Sequence, residues 1–167
     1  MISRTVGADN CRGFTIAEVI IASMVLIVAL LVIATMFPMG HQQVVDAGRM
    51  TLAVTAARQI LEDMGSLPFD SVANLNNYST GNAASLPASG PERAAARRWR
   101  YMVGGAGGGF TFTSAEMTEY GTVTPMGGTA TVLVTSPTGT QRQATVTVSV
   151  PGLTTNVQLT TVIVRLF

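Results

Sequence analysis

The sequence predicts an α+β fold in which one long N-terminal helix packs on a C-terminal antiparallel β-sheet. Two features indicate the helix: an uncharged apolar run covers Val19 to Phe37, and helical apolar periodicity then resumes over residues 41–64. A third feature indicates the sheet. Three alternating segments close the chain, at residues 129–135, 141–150 and 157–166, with Pro- and Gly-containing turns between them.

Composition narrows the possible functions. Charged residues make up 11% of the 167 residues, against about 25% in an average soluble chain. With 47% hydrophobic residues and a mean hydropathy of +0.39, the chain is either attached to a membrane or unusually apolar at its surface. All ten basic residues are Arg, which excludes catalysis by a lysine. One His and one Cys are too few for a zinc site, and the sequence predicts no metal and no cofactor.

Residues 14–40 are predicted to form a membrane-spanning helix. The stretch from Phe14 to Phe37 would be roughly 36 Å long as a helix, which is enough to cross a hydrocarbon core of about 30 Å. A buried core helix of this length would need a larger protein around it. Pro38 and Gly40 follow, and Pro38 is expected to kink or break the helix. Because helical patterning resumes after them, the sequence predicts one nearly continuous helix from about Phe14 to Met64.

Residues 1–13 form a short polar leader before the apolar run. Its Arg4 and Arg12 are the last positive residues before Arg49, so the positive-inside rule places the N-terminus in the cytoplasm. Cys11 precedes the apolar run, whereas a lipoprotein cysteine would follow it. The run is also too long for an ordinary secretory signal.

Residues 41–64 are predicted to form an amphipathic helix half that ends before Gly65 and Pro68. Its apolar positions fall in two adjacent rows, and the resulting stripe is expected to cover the sheet. The first row is Val45, Leu52, Ala56, Ile60 and Met64; the second is Met50, Val54, Ala57, Leu61 and Met64.

The remainder divides into a loop region, residues 65–97, and a β-sheet region, residues 98–167. Ser, Asn, Ala, Gly and Pro dominate the first. In the second, residues 98–103 alternate Arg with apolar side chains, as in a strand, and residues 110–113 are read as a further short strand. The Gly-rich run 104–109 between them is read as a turn, since it lacks the pattern of a nucleotide-binding loop.

Gly13-Phe14-Thr15-Ile16-Ala17-Glu18, with an apolar run behind it, resembles the prepilin cleavage and methylation motif of the type IV filament superfamily. That superfamily contains type IV pilins, minor pilins and the pseudopilins of type II secretion. Residues 59–72, together with the last two strand segments, are similar to PilV-like minor pilins and GspI-like minor pseudopilins.

The resemblance implies a pilin-like fold and a structural, non-enzymatic function. A prepilin peptidase would cut after Gly13 and methylate the new N-terminal Phe14. The chain would be a minor subunit of a type IV pilus or a type II secretion pseudopilus that primes or caps the filament. It would cross the bacterial inner membrane once, with its C-terminal domain in the periplasm, and would enter the filament on assembly. Its partners would be other pilin or pseudopilin subunits, the peptidase, the membrane and the assembly platform.

Glu18 is the assembly residue that the resemblance implies. A carboxylate at the centre of a bilayer costs about 2.5–3.5 kcal/mol, and a cationic partner removes much of that cost. In the superfamily the partner is the N-terminal amine of an adjacent subunit, here that of Phe14. Alternatively, Glu18 lies near the membrane surface, where water and the helix N-terminus stabilise it.

A cluster of arginines interleaved with aromatic residues suggests a nucleic-acid ligand or lipid headgroups. Its members are Arg93, Arg97, Arg98, Trp99, Arg100 and Tyr101. The interpretation preferred over DNA binding is an edge strand whose Arg residues face water and whose aromatic residues face the core. Glu116 and Glu119 are too few carboxylates for a calcium site, and His41 is read as an interfacial helix residue.

The competing function is that of a signal-anchored periplasmic protein that binds DNA or a surface ligand and does not polymerise. This reading predicts that the chain is not processed after Gly13.

Overall fold

The computed structural model describes residues 13–121 and 124–165. Most of the predicted leader and the last two residues of the chain therefore lie outside the described residues. The chain divides into two compact units, one up to Gln43 and the other from Val44 onward.

The long N-terminal helix, α1, covers Ile16–Ser66. The prediction of one nearly continuous helix is confirmed, and of the two effects predicted for Pro38, a kink or a break, the break is wrong, because helical structure continues through this residue. A proline inside a helix removes one backbone hydrogen bond, and the bonds of the neighbouring turns keep the helix intact. Helix α1 ends two residues beyond the predicted Met64, because Gly65 and Ser66 continue the helix, and Pro68 follows its last residue by two positions.

The second half of α1 contributes a narrow stripe to the core of the second unit. The stripe consists of Ala53, Ala56, Ala57, Ile60 and Met64. Three predicted members are wrong: Val45 is 36%, Met50 42% and Leu52 55% exposed. Leu52 lies one residue before Ala53, about 100° around the helix. Three of the five stripe residues are alanines, and the larger Leu52 lies outside the buried stripe.

The predicted loop region contains several short elements. These are α2 (Phe69–Val72), a 3-10 turn (Ala73–Leu75), strand β1 (Tyr78–Ser79) and a second 3-10 turn (Ala83–Ser85). The region ends in helix α3, which covers Pro91–Gly104.

The predicted strand at residues 98–103 is wrong, because these residues belong to α3. Ala96, Trp99, Arg100 and Val103 are its buried positions in this stretch, and their spacing of three, four and seven residues is helical. Pro91 occupies the first turn, which suits a residue without a backbone N–H.

The predicted strand at residues 110–113 is also wrong. Phe110 forms only an isolated bridge with Gly107, and Thr113 caps helix α4, which covers Ser114–Tyr120. In the turn before it, Gly105, Gly107, Gly108 and Gly109 all have positive φ. Glycine reaches such angles without strain, so the interpretation of residues 104–109 as a turn agrees with the structure.

The antiparallel sheet forms as predicted. Strands β2 (Thr129–Thr138), β3 (Gln141–Ser149) and β4 (Val157–Val164) are joined by turns, and the short β1 adds to the outer edge of β2. One face of the sheet packs against α1 and α3 around the fully buried Trp99. The domain is therefore α+β, with a helical layer on one face of a four-stranded antiparallel sheet.

Candidate processing and assembly segment

The chain enters α1 through a capping box formed by Thr15 and Glu18. The Glu18 backbone N–H donates to Thr15 Oγ1 (3.2 Å), and the Thr15 backbone N–H donates to Glu18 Oε2 (3.1 Å). Thr15 Oγ1 also donates to the same carboxylate oxygen. Two of the N–H groups at the helix start therefore have partners. Sequence reasoning missed this role of Thr15, although Thr-x-x-Glu before an apolar run is the pattern that predicts it.

Gly13 and Phe14 precede the helix as irregular backbone. Phe14 is 85% exposed, and no other part of the described chain lies within 4 Å of the position where a Cβ of Gly13 would be. The peptide bond between these two residues is therefore outside the hydrogen-bonded helix, and the described part of the chain leaves it exposed.

The first half of α1 exposes an apolar surface around the whole helix. Its best 18-residue window has a mean hydropathy of 3.0, and none of that window is buried. The exposed side chains include Val19, Ile20, Ile21, Met24, Leu26, Leu30, Leu31, Ile33 and Phe37. A helix of this length and composition is compatible with a single membrane span.

Glu18 lies at the start of this apolar surface. A shallow groove beside it is lined by Phe14, Val19, Ala22, Ser23 and Leu26. Within residues 13–121 and 124–165, the hydrogen-bond partners of the Glu18 carboxylate are the Thr15 groups, and it forms no salt bridge. The carboxylate thus combines a capping role with a negative charge next to apolar side chains.

The predicted arginine cluster is not a common surface, because α3 directs its side chains to different partners. Arg97 forms a bidentate pair with Glu116 (2.5 and 2.7 Å) and also donates to the Thr111 carbonyl (2.6 Å). Arg98 pairs with Asp63 (2.5 Å). The preferred interpretation, an edge strand with Arg residues facing water, is also wrong, because the segment is helical.

Arg100 is buried, only 7% exposed. Its guanidinium donates to the carbonyls of Thr80 (2.9 Å) and Gly107 (3.0 Å) and lies 5.1 Å from the centre of the Phe110 ring. A Cβ on Gly108 would come within 2.6 Å of this guanidinium. Arg100 therefore connects β1 to the Gly-rich turn, and the turn needs glycine where the guanidinium packs against it.

The aromatic members of the cluster are engaged inside the domain. The Trp99 Nε1–H donates to Asp63 (2.7 Å), and the Tyr101 ring meets Phe112 edge-on at 5.5 Å. Tyr101 also lies 5.9 Å from Tyr120. Arg93 donates to the Pro87 carbonyl (2.6 Å). The residues named as a nucleic-acid or headgroup patch thus act in packing α3 against its neighbours.

The remaining predicted candidates occupy different environments. Glu116 caps α4 and pairs with Arg97, which lowers the pKa of its carboxyl to about 2. Glu119 is exposed on the same helix, and His41 is exposed on α1. In the part of the chain that the structure describes, no three His, Cys, Asp or Glu residues lie close enough together to hold a metal ion.

The side-chain contacts between α3 and the rest of the domain were not predicted from the sequence. Asp63 receives hydrogen bonds from Trp99 and Gln59 and pairs with Arg98, although it is 36 residues from Trp99 in sequence. No local pattern specifies such a contact.

No family model, curated protein or solved structure matches the chain.

Proposed function

We propose that this chain is a structural minor subunit of a type IV pilus or a type II secretion pseudopilus. The observation that supports this most strongly is the Gly13-Phe14 bond, which is exposed directly before a capped helix with an apolar surface. A membrane peptidase can reach this bond, and the helix behind it can remain in the bilayer before and after cleavage. Assembly would then extract the subunit from the inner membrane into the filament.

The rest of the chain is consistent with a role in packing instead of catalysis. The second half of α1 is part of the core of a small α+β domain. The arginines of α3, which are the strongest candidates for ligand binding, are engaged in contacts within that domain. In the assembled filament the domain would stay outside the membrane and the apolar half of α1 would contact other subunits.

Glu18 has two roles in this proposal. In the single subunit it caps α1 through Thr15. Cleavage creates a new amine at Phe14, which as a cation is a suitable partner for a Glu18 carboxylate in an adjacent subunit. That pairing removes the cost of a lone carboxylate among apolar helices.

Substitution of Glu18 by Gln separates the two roles. Gln keeps a side-chain oxygen that accepts the Thr15 N–H, so the capping box is retained, but the charge is lost. Glu18→Gln is expected to insert and to be cleaved normally, and to be depleted from filaments sheared off the cell surface or from isolated pseudopili. The measurement is the ratio of this chain to the major subunit in that fraction.

Thr15→Ala is the matched control, because it weakens the capping box and retains the charge. It should enter filaments at close to the wild-type ratio. If Glu18→Gln assembles normally while Thr15→Ala does not, capping and not charge pairing is the role of Glu18. If the wild-type chain never enters filaments, the chain is instead a membrane-anchored protein that does not polymerise.

A further inference from the structure

Strand β4 forms one edge of the sheet and lacks the usual protection of an edge. It pairs with β3 on one side, and no other strand of residues 13–121 and 124–165 pairs with its other side. Its eight residues, VQLTTVIV, contain no charge, no proline and no glycine. Natural edge strands are commonly protected by such residues or by bulges, because a row of unpaired backbone groups recruits other strands.

At the opposite edge of the sheet, by contrast, other parts of the chain cover much of the edge of β2. There β1 pairs with the first part of β2, through Tyr78 opposite Val132 and Ser79 opposite Thr131. Immediately beyond, the Val134 backbone N–H donates to the Asn76 side chain (3.1 Å). The chain thus covers much of the β2 edge with its own groups and leaves the β4 edge uncovered by described residues.

The hydrogen-bond register shows which residues of β4 face the open edge. The Arg165 backbone N–H donates to the Thr140 carbonyl (2.9 Å), toward β3. In an antiparallel strand the N–H and C=O of one residue point the same way and alternate from residue to residue. Odd-numbered residues therefore face β3. The backbone groups directed to the open edge are those of Gln158, Thr160, Val162 and Val164.

We propose that the open edge of β4 binds the same edge of a second copy of this chain, in antiparallel orientation. The pairing places Thr161 of both copies on the two-fold axis, with Thr160 opposite Val162 and Gln158 opposite Val164. All four edge-directed residues then exchange backbone hydrogen bonds, and the two sheets join into one of eight strands. This inference goes beyond the filament role and depends only on β4.

A second copy suits this edge because the strand is complementary to itself. With Thr161 on the axis, Leu159 lies opposite Ile163, so the partly buried apolar side chains of both copies meet on the same face. The absence of charge along β4 means that no like charges are brought together. The nearest charge, Arg165, lies opposite Val157 of the other copy in this register.

Disulfide trapping tests the register directly. The full chain is extracted in detergent with Cys11→Ser, which removes its one native cysteine. Thr161→Cys places the two sulfurs across a non-hydrogen-bonded pair, where Cα atoms are about 4.5 Å apart and a disulfide fits. This variant should form a covalent dimer under mild oxidation. Thr131→Cys, exposed on the interior strand β2, is the control and should remain monomeric.

A second pair of variants tests whether the dimer depends on the open edge of β4 or on the exposed face of the sheet in general. Val162→Lys puts a charge on the open edge, and Leu133→Lys puts the same charge on the same face of the sheet, in β2. The native side chains are similarly exposed, at 55% and 49%. Light scattering in detergent should show a dimer for the wild type and Leu133→Lys and a monomer for Val162→Lys.

Three results would overturn the proposal: a wild-type chain that stays monomeric, a dimer that survives Val162→Lys, or equal disulfide yields from Thr161→Cys and Thr131→Cys. A dimer held by the apolar half of α1 would give the second result. Cleavage after Gly13 is measured separately by mass, so failure of this proposal leaves the proposed function unaffected.

Discussion

Substitution of Ile60 by Ala should destabilise the second unit more than any comparable change on the exposed side of α1. Ile60 is completely buried and belongs to the core formed with the sheet and α3. Removing three carbons from such a site costs about 2–5 kcal/mol, from lost apolar burial and from the cavity left behind. This is a large part of the 5–15 kcal/mol that is typical of a domain's total stability.

The measurement is urea unfolding of the detergent-extracted chain, followed by tryptophan fluorescence. Trp99 is the one tryptophan in the sequence, and it is buried in the second unit, so its emission reports on that unit. The free energy of unfolding falls by about 2 kcal/mol for each molar increase in urea concentration. A loss of about 3 kcal/mol of this free energy therefore lowers the unfolding midpoint by ~1.5 M urea.

Leu52→Ala is the matched control, since it removes a similar side chain from an exposed position on the same helix. Its free energy of unfolding should change by no more than about 0.5 kcal/mol. Equal midpoints for Ile60→Ala and Leu52→Ala would refute the docking of α1 through the Ala53–Met64 stripe.

Two further predictions concern the contacts of α3. Because Arg97 lowers the pKa of Glu116 from its ordinary 4.5 to about 2, the pair stabilises the fold fully above pH ~4.5 and loses this effect as the pH falls toward 2. In the Glu116→Gln variant, the urea midpoint should therefore fall less between about pH 5 and pH 2 than it does in the wild type. An equal fall in both proteins would contradict the pairing. Gly108→Ala should destabilise more than Gly127→Ala: both residues have similar positive φ, but only at Gly108 would the new methyl group meet Arg100. Equal urea midpoints would mean that the Arg100 contact does not constrain the turn.

The elements with long, regular patterns were predictable from the sequence. Strands β2, β3 and β4 begin at the predicted residues because each is rich in β-branched residues and turn residues separate them. The end of α1 was predictable because Pro68 cannot continue a helix. Helical spacing also predicted four of the five buried residues of the stripe, Ala56, Ala57, Ile60 and Met64. It missed Ala53, and it wrongly included Val45, Met50 and Leu52, which are exposed.

Helix α3 shows why the central region was misread. Over residues 98–103 an alternating pattern and a helical pattern both fit, since Trp99 and Val103 are apolar in either. The helical signals lay outside this window, in Pro91 at the start and Gly105 after the end. The partners of its arginines, Glu116 and Asp63, come from distant parts of the sequence, so the engagement of the cluster inside the domain could not be derived locally.

The most direct test of the proposed role is the intact mass of the protein extracted from membranes of a host that has a prepilin peptidase. We expect a chain of residues 14–167 bearing one additional methyl group, because the Gly13-Phe14 bond is exposed before the capped helix. A Gly13→Leu variant, which puts a bulky side chain before the bond, should keep the unprocessed mass. A wild-type mass that still includes residues 1–13 in that host would contradict the assignment to the type IV filament superfamily.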